Sequence, residues 1–226
     1  MKAGKSAIAV LVLVCMASVC ANAQTILEQY DVMPYAGTWS KVQMAENTII
    51  GQTFRVTTAG TVSSIDTTLD NWPGISPTVP LTIELRSTFI SVYGQVQPNR
   101  SVPALYTGTI QPNDPQFSLP DASWVNCLMT PTGTPVELQT GVDYAVIAYA
   151  TGTNNQYCWW RKYGTAVPGY SDGYELAGVP SGMYNLIPVQ TAYDVPFRVN
   201  GVVPEPTSLL VLGSGLLGLV GLRRRR

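Results

Sequence analysis

Between residues 24 and 201 the hydrophobic and polar positions alternate with a period of two, broken at short intervals by turn residues. Residues 50–56 (IGQTFRV), 60–69 (GTVSSIDTTL) and 79–87 (VPLTIELRS) are rich in Thr, Val and Ile. In the last of these, Leu81, Ile83 and Leu85 share one side, and Thr82, Glu84 and Arg86 share the other. That pattern predicts strands with one face in a core and one in water. Residues 141–152 (GVDYAVIAYATG) differ, because Asp143, Ala145, Ile147 and Tyr149 form a second, mainly apolar set beside Val142, Tyr144, Val146 and Ala148. A strand apolar on both sides is expected at the centre of a sheet, covered twice. Later strands are expected in QYCWWRKYG and YDVPFRVNG, and turns at Asn71-Trp72-Pro73-Gly74, at residues 111–115 (QPNDP), at Pro131-Thr132-Gly133 and at Asn154-Asn155. Before the C-terminal tail, no run of helical length shows a 3.6-residue period. Short strands with Gly/Pro turns predict an all-β protein, an antiparallel β-sandwich of jelly-roll-like arrangement.

The two ends follow other rules. Residues 1–23 read as a signal peptide: Lys2 and Lys5 are basic, AIAVLVLVCMA is apolar, and Ala21-Asn22-Ala23 is a small-x-small cleavage site. Cleavage after Ala23 and export through the Sec pathway are expected. The alternatives are a retained helix, for which the apolar run is short, and a lipoprotein signal. In the latter case Val14 and Val19 stand before Cys15 and Cys20, where a small residue belongs. At the other end, Pro204 and Pro206 stop regular structure, and Thr207 to Leu222 carry no charge. A helix over that run would span about 24 Å against about 30 Å of hydrocarbon, a marginal single transmembrane segment. Arg223, Arg224, Arg225 and Arg226 favour the cytoplasmic side, which leaves the body outside. The chain therefore divides into a leader (1–23), a β-sandwich domain (24–201) and a tail (202–226).

Export changes the reading of the cysteines. Cys15 and Cys20 leave with the leader, and Cys127 and Cys158 remain. An even pair in an oxidising compartment predicts a disulfide, worth about 2–4 kcal/mol, with two free thiols as the alternative. The body holds seven basic and thirteen acidic residues, a net charge of −6, which speaks against nucleic acid and against anionic lipid headgroups as partners.

The chain has no histidine. Ser-His-Asp and Cys-His nucleophiles and histidine-based zinc sites are thereby excluded, and no metal or cofactor is expected. Carboxylate pairs of the glycosidase kind stay open: Glu84 and Asp143 on strands, Asp172 and Glu175 in a Gly-rich stretch, each also readable as a surface charge or turn cap. Tyr157, Trp159, Trp160 and Tyr163, followed by Tyr170 and Tyr174, offer an aromatic platform for sugar rings. Trp159 and Trp160 are adjacent on a strand and face opposite ways, so at most one serves a given face. The leading expectation is a non-enzymatic exported protein. A carbohydrate-binding module is the alternative and a glycan-active enzyme stands third.

Taken together, Val203-Pro204-Glu205-Pro206, the apolar TSLLVLGSGLLGLVGL and the arginine cluster resemble the PEP-CTERM sorting signal of exported bacterial proteins. The resemblance implies recognition near Pro204, Glu205 and Pro206 by an exosortase, a membrane-embedded transpeptidase for which this chain is the substrate. It also implies transient anchoring in the inner membrane through the tail before processing, removal of the helix, and association with exopolysaccharide at the cell surface or in the extracellular matrix. The body, in IGQTFRVTTAGTVSSIDTTL, LYTGTI, LQTGVDYAVIAYATG and AYDVPFRVNG, is similar to the β-rich choice-of-anchor type domains carried by such proteins. No activity follows from that similarity.

Overall fold

A computed structural model describes residues 24–30, 39–44, 48–71, 76–92, 94–118, 123–151, 157–162, 171, 173, 175–178, 187–188 and 194–203. Among them are sixteen strands: β1 (Gln24–Tyr30), β2 (Trp39–Met44), β3 (Ile49–Arg55), β4 (Gly60–Thr67), β5 (Leu69–Asn71), β6 (Leu81–Ile90), β7 (Val96–Pro98), β8 (Tyr106–Ile110), β9 (Val125–Leu128), β10 (Thr130–Pro131), β11 (Glu137–Leu138), β12 (Asp143–Ala150), β13 (Tyr157–Lys162), β14 (Glu175–Gly178), β15 (Ile187–Pro188) and β16 (Phe197–Val202). A single 3-10 turn covers Pro115–Ser118. The all-β expectation holds, and every strand pair is antiparallel. Among the described residues no helix is long and apolar enough to cross a membrane. The leader and the apolar tail lie outside those residues.

The strands form three sheets. The first runs β1-β16-β4, with β11 and β9 sharing the far edge of β4. The second runs β10-β8-β6-β12-β3-β14-β15, with β7 continuing the edge of β6 past β8. The third is β2-β13-β5. One core gathers side chains from all three, including Leu27, Ile65 and Val199 from the first, Phe54, Ile83 and Val146 from the second, and Trp159 from the third. Phe54 sits at its centre, with ring centroids 5.1 Å from Phe197 and 6.2 Å from Tyr144.

The central position of β12 follows from its two apolar sets. Tyr144, Val146 and Ala148 enter the main core, while Ala145 and Ile147 join Ile49 and Leu176 in a second cluster on the other face. Val142 departs from the expected pattern: it precedes the strand and is exposed. Strict alternation also fails in β4. Asn200 pairs with Ser64 and Gly201 with Val62, so Ser63 is the extra residue of a bulge. The bulge changes the phase and lets both Val62 and Ile65 face the core.

A second bulge lies between Ile26 and Glu28 of β1, and its extra residue, Leu27, is fully buried. Two glycines make room for it. A Cβ at Gly201 would come within 2.6 Å of Leu27 Cδ1 and 2.4 Å of the Thr61 carbonyl oxygen. One at Gly60 would meet Leu27 Cδ2 at 2.7 Å.

The expected Cys127–Cys158 disulfide is absent, and both cysteines are buried. The pairing register explains why. Cys127 lies opposite Ile65 on β4, whereas Cys158 lies opposite Asp70 on β5. Five residue steps along the chain separate those two partners, about 16 Å, against the 4–7 Å between Cα atoms that a disulfide spans. The Cys158 thiol instead approaches the carbonyl oxygens of Asp70 and Asn71 at 3.5 and 3.6 Å.

Candidate functional site

The aromatic platform expected around residues 157–163 does not assemble. Tyr157 and Trp159 are fully buried in the core. The Tyr157 hydroxyl donates to the Val79 carbonyl at 2.7 Å, and its ring lies 5.4 Å from that of Phe117. Trp159 Nε1 donates to the Pro196 carbonyl at 3.4 Å. Neither ring presents a face to a ligand. Trp160 does point the other way, as strand geometry requires, and is half-buried with Lys41 Nζ 4.7 Å over its ring. Lys41 is also bound to Asp70 at 2.8 Å, so the cation caps the indole. Tyr163, Tyr170 and Tyr174 lie outside the described residues.

The carboxylates are separated and individually engaged. Arg55 holds Asp143 through two hydrogen bonds of 2.8 and 3.1 Å. Glu84 accepts from Arg86 Nε at 2.6 Å and from the Tyr149 hydroxyl at 2.8 Å. Arg86 also donates to the carbonyls of Asn99 and Val102, which buries this network under the 99–102 segment instead of leaving it as the solvated strand face the sequence suggested. Burial, reinforced by Glu84, pushes the Tyr149 hydroxyl up to about 12. Glu84 faces Ile147, four residues along β12 from Asp143. That is about 13 Å along the strand, and each carboxylate is turned to its own partner, Asp143 to Arg55 and Glu84 to Arg86 and Tyr149.

Glu175 is not in a solvent loop either. It lies on β14 opposite Gln52 of β3, fully buried. Gln52 is clamped to the segment before β16, donating to Asp194 Oδ1 at 2.9 Å and accepting from the Val195 amide at 3.2 Å. Arg161 of β13 reaches Glu175 Oε1 at 3.2 Å, while Oε2 has no hydrogen-bond partner. Desolvation raises the Glu175 carboxyl above its ordinary value; Arg161 opposes this and the charge of Asp194 adds to it. The Tyr30 hydroxyl is raised by burial and by the same Asp194. The cluster ties the second and third sheets to the segment that leads into the last strand. Asp172 lies outside the described residues.

An open groove of about 470 Å³ lies elsewhere, at one end of the second sheet. Phe89, Ile90, Val96, Leu105, Val136 and Val142 supply most of its apolar lining. Sequence reading passed over it, although one signal was present: the apolar residues of FISVYG run past the end of the 79–87 alternation into a turn.

These observations define an antiparallel all-β body whose last strand leads directly into a C-terminal signal. Residues 202–226 match the PEP-CTERM protein-sorting motif, so the chain carries the tail of an exported protein sorted by an exosortase. Pro204, Glu205, Pro206 and the four arginines lie within the matched span but outside the described residues, as does Ala23. No curated protein matches the chain.

Proposed function

We propose that the chain is an exported, non-enzymatic protein of the cell envelope or extracellular matrix, processed by an exosortase and associated with exopolysaccharide. The observation that carries this reading is the sorting motif beginning at Val202, the last residue of β16. The β-body supports a scaffolding role: its carboxylates are held in separate ion pairs, and the chain lacks histidine. The body is read as a jelly-roll-like sandwich because the chain passes repeatedly between the first and second sheets, at β3 to β4, β8 to β9 and β11 to β12. The carbohydrate-binding alternative loses Tyr157 and Trp159 to the core. In this proposal, Sec export and cleavage after Ala23 come first. The tail then holds the protein in the inner membrane until it is cut near Pro204, Glu205 and Pro206.

Mass spectrometry of both termini in isogenic strains with and without the exosortase tests the proposal. The expected form begins at Gln24 and ends near Pro204–Pro206 only when the enzyme is present. Recovery of intact Arg226 in the enzyme-positive strain defeats it.

A further inference from the structure

Of nine exposed large apolar side chains among the described residues, six gather at one pole: Phe89, Ile90, Val92, Val136, Val142 and Val202. The pairing registers bring them together. Across the first sheet, Gln24, Val202, Thr61 and Glu137 lie side by side, which places Val136 beside the strand end from which the tail departs. The short link from β3 to β4 puts the Arg55–Asp143 end of the second sheet at the same pole. Beyond it protrudes the β6–β7 hairpin, since Tyr144 already pairs with Ser87 and the hairpin continues past the start of β12. Its turn is built to project. The Ser91 amide donates to the Gln95 carbonyl at 2.8 Å, Gly94 takes a φ of 75°, and Val92 is 94% exposed with Ile90 at 74%.

An apolar patch of this extent on an exported protein calls for an occupant. The tail indicates which one. Six residues, Val203 to Ser208, separate β16 from the uncharged, leucine-rich run that starts at Leu209. Fully extended they reach about 20 Å. Among the described residues the solvent-facing charged side chains at the pole are Glu137 and the mutually paired Arg55 and Asp143, so apolar insertion, not attraction to anionic headgroups, would drive contact.

We propose that this pole is a membrane-contacting surface: while the tail is inserted, the β6–β7 hairpin tip of Phe89, Ile90 and Val92 seats in the headgroup region of the same bilayer. The proposal rests on membrane insertion of the tail, as read above. It gives the body a fixed orientation, with the sorting motif held at the bilayer surface.

The test uses the full chain reconstituted into vesicles of phosphatidylethanolamine and phosphatidylglycerol, with benzoylphenylalanine replacing Val92 or, as control, Asn113 in the exposed turn after β8 at the opposite pole. Flotation reports tail insertion, and mass spectrometry after illumination reports what was captured. Phospholipid adducts are expected from position 92 and not from 113. They are expected to fall when Phe89→Ser and Ile90→Ser are introduced, with flotation unchanged. A floating chain that links position 92 only to a second copy, or gives no lipid adduct above the control, overturns the proposal alone. A chain that fails to float overturns tail insertion and the proposal with it.

Discussion

Replacing Trp159 by alanine distinguishes an aromatic that holds the body together from one that meets a ligand. The ring is fully buried where the third sheet joins the main core. Its hydrogen bond to the Pro196 carbonyl, at 3.4 Å, is long and contributes little beside the packing. Truncating a buried tryptophan to alanine costs about 3–5 kcal/mol, a large share of the roughly 5–15 kcal/mol that stabilises an ordinary domain. With a urea dependence of about 2 kcal/mol per molar, the unfolding midpoint should fall by about 1.5–2.5 M. Far-UV circular dichroism is the appropriate probe, because the substitution itself alters tryptophan fluorescence. Trp160→Ala is the comparator. That ring is half-buried beneath Lys41, and losing a partly exposed cation–π contact costs about 0.5–1 kcal/mol. Its midpoint should move by well under 1 M on the same scale. If Trp159→Ala shifts the midpoint by less than about 0.5 M at unchanged slope, or leaves stability intact while abolishing retention on a polysaccharide gel, the core assignment is wrong.

Gly201→Ala should cost about 1–3 kcal/mol, since its new methyl would overlap both Leu27 Cδ1 and the Thr61 carbonyl oxygen; an unchanged urea midpoint would refute the claim that the glycine makes room for the bulged leucine. Cys127 and Cys158 should both resist alkylation at mildly alkaline pH in the folded protein and both react in denaturant, because burial, helped by Asp114, pushes the Cys127 thiol up to about 12. A 127–158 cross-linked peptide in a non-reducing map would contradict this. Glu175 gives a signed pH effect. Its folded carboxyl value is raised, so the folded state retains the proton to higher pH than the unfolded chain does. Its contribution to stability is full below the ordinary glutamate value and is lost as pH rises through the raised one. Relative to Glu175→Gln, the wild-type midpoint should therefore decline as pH rises, and a relative increase would refute the desolvation argument.

Strands with a simple face assignment were legible in the sequence. Leu81, Ile83 and Leu85 announce β6, and the doubly apolar 143–149 run announces a central strand, because period and burial coincide there. β4 was legible as a strand but not in its facing. Ser63 shifts the phase through a bulge that depends on Asn200 and Gly201, residues more than a hundred positions away. The thiols were misread for a related reason. Even parity and an oxidising compartment make a disulfide reasonable, but the separation of Ile65 from Asp70 along the chain, which keeps the thiols apart, appears only once their partners are known.

The surface at the tail's exit was the hardest feature to read in advance, and the physical reason is instructive. Adjacent residues on a strand face opposite ways, so the sequence correctly separated Trp159 from Trp160, yet it could not say which face a second layer would cover. Sequence reading favoured sugar contact where aromatics were dense, although aromatic density marks cores as readily as binding faces. The apolar pole has no dense segment. It draws single residues from positions 136, 142 and 202 and a short run from 89–92, and each alone is an unremarkable exposed hydrophobe. Only the antiparallel closure that seats Gln24 against Val202, and Val202's neighbour Thr61 against Glu137, converts them into one surface. The same closure makes the C-terminal strand indispensable to the body: β16 lies between β1 and β4, so the first sheet cannot be completed without residues 197–202.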